Sequence, residues 1–92
     1  MTLARRYFVS GDVQGVGFRY FVIREVEQIG NIRGFVRNLR DGRVEAYAEG
    51  EQKELERFEF SLKKGPRGAW VSRVEVIEEV PEGDYTDFRV TF

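Results

Sequence analysis

The chain has 92 residues, of which 41 % are hydrophobic and 14 % aromatic, with 15 basic side chains against 16 acidic ones. That is enough apolar material for one folded core, with residues 1–92 read as a single domain, and too much for a disordered segment. A net charge of −1 argues against nucleic-acid binding through bulk charge, no apolar run reaches the length of a membrane span, and the first residues form no apolar leader segment.

Residues 4–10 predict a first strand, with Tyr7 and Val9 on one face and Phe8 on the other. A glycine-rich loop follows. Phe18, Phe21, Val22, Val26 and Ile29 then fall at helical spacing, which predicts a helix over about residues 18–29 with Gly30-Asn31 as its stop. Residues 32–38 read as a second strand. Leu39-Arg40-Asp41-Gly42 is a hairpin turn, its Asp-Gly supplying the positive-φ positions. Val44, Ala46 and Ala48 alternate with polar residues and Tyr47, so a half-buried third strand runs to about residue 49. Leu55, Phe58 and Leu62 mark a second helix over about residues 51–64, ended by Gly65-Pro66, with Phe60 off its apolar face. Ala69-Trp70 leads into a fourth strand carrying Val74 and Val76. After a loop at residues 81–84, Phe88, Val90 and Phe92 alternate in a short last strand.

The order β-α-β-β-α-β plus a fifth strand predicts an α+β, ferredoxin-like split βαβ sandwich with a mostly antiparallel sheet. Right-handed crossovers put both helices on one face. The other face is expected to be open, with Phe8, Phe35 and Tyr47 projecting from it. The fifth strand belongs at an edge of the sheet.

Neither cysteine nor histidine occurs in the chain. Disulfides and thiolate chemistry are therefore excluded, which fits a reducing cytoplasm. The commonest general base and the commonest transition-metal ligand are missing too. Charged residues make up 34 % of the chain, well above the roughly 25 % of ordinary domains. They are mostly Arg and Glu, while Asn, Gln and Met are scarce, so a thermostable protein is expected.

One stretch carries chemistry. In Gly11-Asp12-Val13-Gln14-Gly15-Val16-Gly17-Phe18-Arg19, three glycines let the backbone take positive φ and turn N–H groups inward. A helix start adds the positive end of its dipole, and Arg19 adds a planar, permanently charged fork. Residues 14–19 (Gln14, Gly15, Val16, Gly17, Phe18 and Arg19) thus describe a seat for phosphate. The spacing is neither a P-loop nor a dinucleotide fingerprint. Gln14 is expected to brace its own loop, and Arg37 and Arg40 to serve solubility or to raise the local potential for an anionic substrate.

The stretch Gly11-x-Val13-Gln14-Gly15-Val16-x-Phe18-Arg19 resembles the first signature of the acylphosphatase family. The segment from Gly34 through Asn38 to Val44, closed by Gly50, resembles the second. Gly65-Pro66 and the aromatic last strand are also similar to the family. The resemblance implies a small hydrolase, needing no metal or cofactor, that splits acyl phosphates into a carboxylate and inorganic phosphate. It places Arg19 and Asn38 at the family's catalytic positions. An acyl phosphate is then the small-molecule substrate, inorganic phosphate the product and competitive inhibitor, and a cytoplasmic monomer the expected form.

Two other readings compete. RNA-recognition domains share this element order and stack bases on open-face aromatics. Arg33-Gly34-Phe35 begins like their RNP1 motif, but Val36 and Arg37 break it, and it falls on the second strand. A non-catalytic anion-sensing domain would retain the loop without turnover.

Overall fold

The computed structural model describes residues 1–92. Its elements are β1 (Leu3–Asp12), α1 (Phe18–Ile29), β2 (Arg33–Asn38), β3 (Val44–Gly50), α2 (Gln52–Lys64), β4 (Trp70–Glu79) and β5 (Phe88–Val90). The sheet order is β4-β1-β3-β2-β5. β3 pairs antiparallel with both β1 and β2, and β4 pairs antiparallel with β1. The split βαβ arrangement follows: each helical crossover skips one position in the sheet, and the skipped position holds a strand from the other half.

Local sequence accounts for the helices. In α1, Phe18, Val22 and Val26 recur every fourth residue and are all buried. Gly30, at φ 78, ends the helix by donating its N–H to the Val26 carbonyl. In α2, Leu55, Phe58 and Leu62 are fully buried, and Gly65 closes the helix on Ser61 in the same way. Both helices pack on the face that carries Tyr7, Val9, Val36, Val44 and Ala46. Phe58 meets Tyr7 edge-on on one side, at 5.2 Å, and Phe88 on the other, at 5.7 Å. Phe60 is exposed, as its position off the apolar stripe predicts.

One glycine is required by the sheet itself. Gly34 in β2 has φ +147, and a Cβ there would lie 1.8 Å from the Tyr47 carbonyl oxygen. β2 and β3 approach too closely at this point for any side chain.

The fifth strand lies beside β2 and runs parallel to it. Backbone bonds of 2.9 Å from Gly34 N–H to the Asp87 carbonyl and from Thr91 N–H to the Val36 carbonyl pin its two ends. Residue 92 lies beyond it, so the strand is shorter than the alternation of Phe88, Val90 and Phe92 predicts.

The outer face of the sheet corrects the expectation of an open surface. Phe35 and Tyr47 do project there and stack at 5.9 Å. Tyr47, however, is fully buried, because the segment at residues 80–87 folds back over it and brings Tyr85 to 5.3 Å. The Glu49 carboxylate fastens this strap. One oxygen accepts the Tyr47 hydroxyl at 2.7 Å and the N–H groups of Glu82 and Gly83 at 2.8 and 3.0 Å. Phe8 lies under the Arg43 guanidinium, 4.8 Å from its carbon. With Tyr47 out of reach, this face offers no base-stacking platform, and the RNA-binding reading has no support.

β3 is likewise buried along its whole length, where the alternation predicts a half-buried strand. Its polar side chains are enclosed by ion pairs. Glu45 accepts from Arg37 at 2.6 Å and from Arg6 at 2.7 Å, and Arg6 forms a two-pronged pair with Glu79 at 2.6 and 3.1 Å. The chain Arg37–Glu45–Arg6–Glu79 crosses four adjacent strands. Hydrogen bonding to Glu79 foremost, with Glu45 behind it, holds the Arg6 guanidinium well above its ordinary value. Arg37, expected to serve solubility or to raise the local potential for an anion, is thus part of a lattice of charges.

Candidate active site

β1 and β2 point the same way, since both run antiparallel to β3. The loop that leaves β1 and the end of β2 therefore emerge at the same end of the sheet. Between them lies a cavity of about 90 Å³, lined by Val13, Gly15, Gly17, Phe18, Arg19, Tyr20 and Asn38. One water's share of the liquid is about 30 Å³, so this is room for a tetrahedral oxyanion with a water beside it. Two larger hollows of about 440 Å³ lie elsewhere, one beside β5 on the outer face and one between the helices. Neither touches the glycine loop.

The glycine loop has the backbone its composition predicts. Gly15 and Gly17 have φ of 75 and 76 and flank Val16, which does not share the left-handed conformation. Such alternation turns successive N–H groups to one side. Gly17 is also the cap of α1, where most helices carry a Ser, Thr or Asp that bonds back to the first turn. Here no side chain does so, and no acidic residue occupies that turn. The N–H groups from Gly15 to Tyr20 donate to no protein acceptor, and the first helical bond comes from Phe21 to Gly17. Free donors and the helix dipole together make an anion seat.

Arg19 stands at its rim. No carboxylate lies within ion-pairing distance, and its guanidinium instead rests over the Phe92 ring, 5.3 Å from the centroid. That leaves its fork of N–H donors free for a ligand. Asn38 is the last paired residue of β2, opposite Val44. Its Oδ1 is buried and has no hydrogen-bond partner within the protein. An acceptor so placed on the cavity wall is open to a bound donor.

Of the residues singled out from the sequence, Gly15, Gly17, Phe18, Arg19 and Asn38 meet at this cavity. Phe18 enters with its backbone, since its ring is buried in the core. Val16 packs against the core and does not line the cavity. Gln14 corrects its expectation. Its amide donates to the Leu39 and Arg43 carbonyls across the β2–β3 turn, not within its own loop. Tyr20 and Phe92 complete the surroundings. Neither was singled out from the sequence: the one available signal for Tyr20 is its place directly after Arg19 at the start of the helix, and nothing local to Phe92 points to Arg19.

The acylphosphatase family model matches residues 5–90. The chain belongs to the acylphosphatase family. It is 49 % identical over 86 residues to the acylphosphatase of Koribacter versatilis, covering 94 % of this chain and 77 % of that one. To the acylphosphatase of Archaeoglobus fulgidus it is 47 % identical over 90 residues, or 98 % of this chain and 99 % of the other. The crystal structure of Bacillus subtilis acylphosphatase superposes with a TM-score of 0.92 at 38 % identity, covering 98 % of this chain and 99 % of that one. This chain is an acylphosphatase, a hydrolase of the carboxyl–phosphate bond on a ferredoxin-like fold.

Proposed function

We propose that residues 1–92 act as one domain in which Arg19 and the N–H groups of Gly15 to Arg19 hold the phosphoryl group while Asn38 orients the attacking water. One observation carries this reading: an unpaired guanidinium and a buried, unpartnered carboxamide oxygen border the same oxyanion-sized cavity.

The chemistry suits those groups. The water oxygen forms a bond to phosphorus as the bond to the acyl oxygen breaks, and the electron pair leaves on the carboxylate. A carboxylic acid has a pKa of about 4, so this group departs without a proton and no general acid is needed. Charge in the loose transition state spreads over the equatorial oxygens, where Arg19 and the loop amides neutralise it. Asn38 accepts a hydrogen bond from the water through Oδ1 and aims a lone pair at phosphorus. Carboxamides are too weak to keep the proton, which passes to a phosphoryl oxygen. The domain works in this scheme without a metal and without a covalent intermediate. We place it in the cytoplasm as a thermostable monomer, free of nucleic acid, with phosphate as product and competitive inhibitor.

The test is the hydrolysis of benzoyl phosphate by three variants. Arg19→Ala is expected to lose both kcat and phosphate inhibition, and Arg19→Lys to restore little, because a point charge does not replace the fork. Asn38→Ala is expected to lose about 10²–10³ in kcat, the range for removing one transition-state donor or acceptor, and to keep phosphate inhibition. A chelator leaves every rate unchanged. Equal loss of phosphate inhibition in Asn38→Ala and Arg19→Ala would refute this division of roles.

A further inference from the structure

We infer that Gln14 is a positioning residue that fixes the distance between the anion seat and Asn38. The inference rests on the reading of Asn38 as the group that orients water. Gln14 immediately precedes Gly15, the first left-handed residue of the loop. Its side-chain amide donates to the Leu39 carbonyl at 2.7 Å and to the Arg43 carbonyl at 2.9 Å. Those carbonyls already close the β2–β3 turn, accepting from Gly42 N–H at 3.2 Å and Leu39 N–H at 2.8 Å respectively. Each carbonyl has a second lone pair, and a primary amide has two N–H donors, so the fit is one donor to each.

Leu39 follows Asn38 directly. The clamp therefore joins the loop that seats the anion to the backbone that carries the water-orienting group. The two segments are far apart in sequence, and no other side-chain hydrogen bond joins the loop to this turn. Asn38 itself has no partner at Oδ1 to hold it in place. Gln14 does not line the cavity, so it acts through Asn38 and not on the substrate.

Gln14→Met keeps the length of the side chain and removes both donors. A misplacement near 1 Å costs about 10² in rate, so kcat is expected to fall between tenfold and a hundredfold. Phosphate inhibition, which reports on the seat alone, stays near that of the parent. In an Asn38→Ala background the same change costs nothing further, because the positioned group is already gone. A full additional loss in that background, or a loss of phosphate inhibition as large as that of kcat, would overturn the inference. Full kcat in Gln14→Met with a crippled Asn38→Ala overturns the clamp alone, whereas full kcat in Asn38→Ala overturns the reading beneath it. Should Gln14→Met not fold, Gln14→Glu gives a second readout. Its carboxylate lacks donors at neutral pH and regains one O–H on protonation. Its kcat relative to the parent is then expected to rise as pH falls, and a flat ratio would refute the clamp.

Discussion

Removing the Glu45 carboxylate tests whether the outer-face lattice of charges holds the sheet together or merely decorates it. The carboxylate is 6 % exposed, with a donor from Arg6 on one oxygen and from Arg37 on the other. Arg37 is 44 % exposed and returns to water when Glu45 is cut back, so its pair is worth less than about 1 kcal/mol. Arg6 is 21 % exposed and keeps Glu79, so losing its bond to Glu45 costs about 1 kcal/mol. The one methylene that Glu45→Ala also removes adds about 0.8 kcal/mol. The expected total is about 2.5 kcal/mol for Glu45→Ala, and about 1 kcal/mol for Glu45→Gln, which keeps the stem and one acceptor. Urea unfolding followed by circular dichroism, extrapolated linearly to water, measures both. In a domain of this size the larger loss lowers Tm by about 10–20 °C. Because Glu45 and Arg6 are largely shielded from solvent, most of the difference is expected to survive about 1 M salt, where exposed charges such as Arg37 are screened within about 3 Å. A loss under about 1 kcal/mol for Glu45→Ala, or one abolished by salt, would refute the argument.

Acid is expected to loosen the strap at residues 80–87 before the rest of the fold. Burial pushes the Glu49 carboxyl up, but the Gly83 N–H, the Tyr47 hydroxyl and the Glu82 N–H together outweigh it and hold the group below its ordinary 4.5. A lowered folded value means that its stabilisation is complete above 4.5 and disappears as pH falls through the folded value. The stability gap between the parent and Glu49→Gln, measured by urea unfolding at stepped pH, therefore narrows below 4.5 and stays constant above it; a gap that widens in acid would contradict this. Gly34→Ala is expected to cost at least about 2 kcal/mol, since its methyl group meets the Tyr47 carbonyl in a left-handed backbone. A thermal midpoint within a few degrees of the parent would contradict that.

Much of this molecule was legible in its sequence, for local reasons. Apolar spacing in α1 and the glycine after it define that helix to the residue, because every signal lies within one turn of its boundaries. Arg19 was legible as the end of the glycine loop, whereas Asn38 stood out only through the family resemblance of the segment from Gly34 to Val44; right-handed crossovers bring the two parallel strand ends together. The outer face was not. Alternation marks Glu45 and Glu49 as solvent-facing, and only partners from β1, β2 and the segment after β4 bury them. Gln14 is similar, since its acceptors lie across the β2–β3 turn, beyond the reach of any local pattern. The side of the sheet chosen by β5 depends on the free edge of β2, a tertiary fact with no sequence period.

The parallel course of β1 and β2 has a consequence for how the chain divides its labour. Every residue that lines the cavity, and both ends of the Gln14 clamp, come from the segment between Gly11 and Arg43, while α2, β4 and β5 supply buttressing and, at Phe92, one ring against Arg19. Chemistry and support are thus written one after the other along the polypeptide instead of being interleaved. A single cut after Arg43 would therefore leave every residue that lines the cavity on one continuous piece of chain.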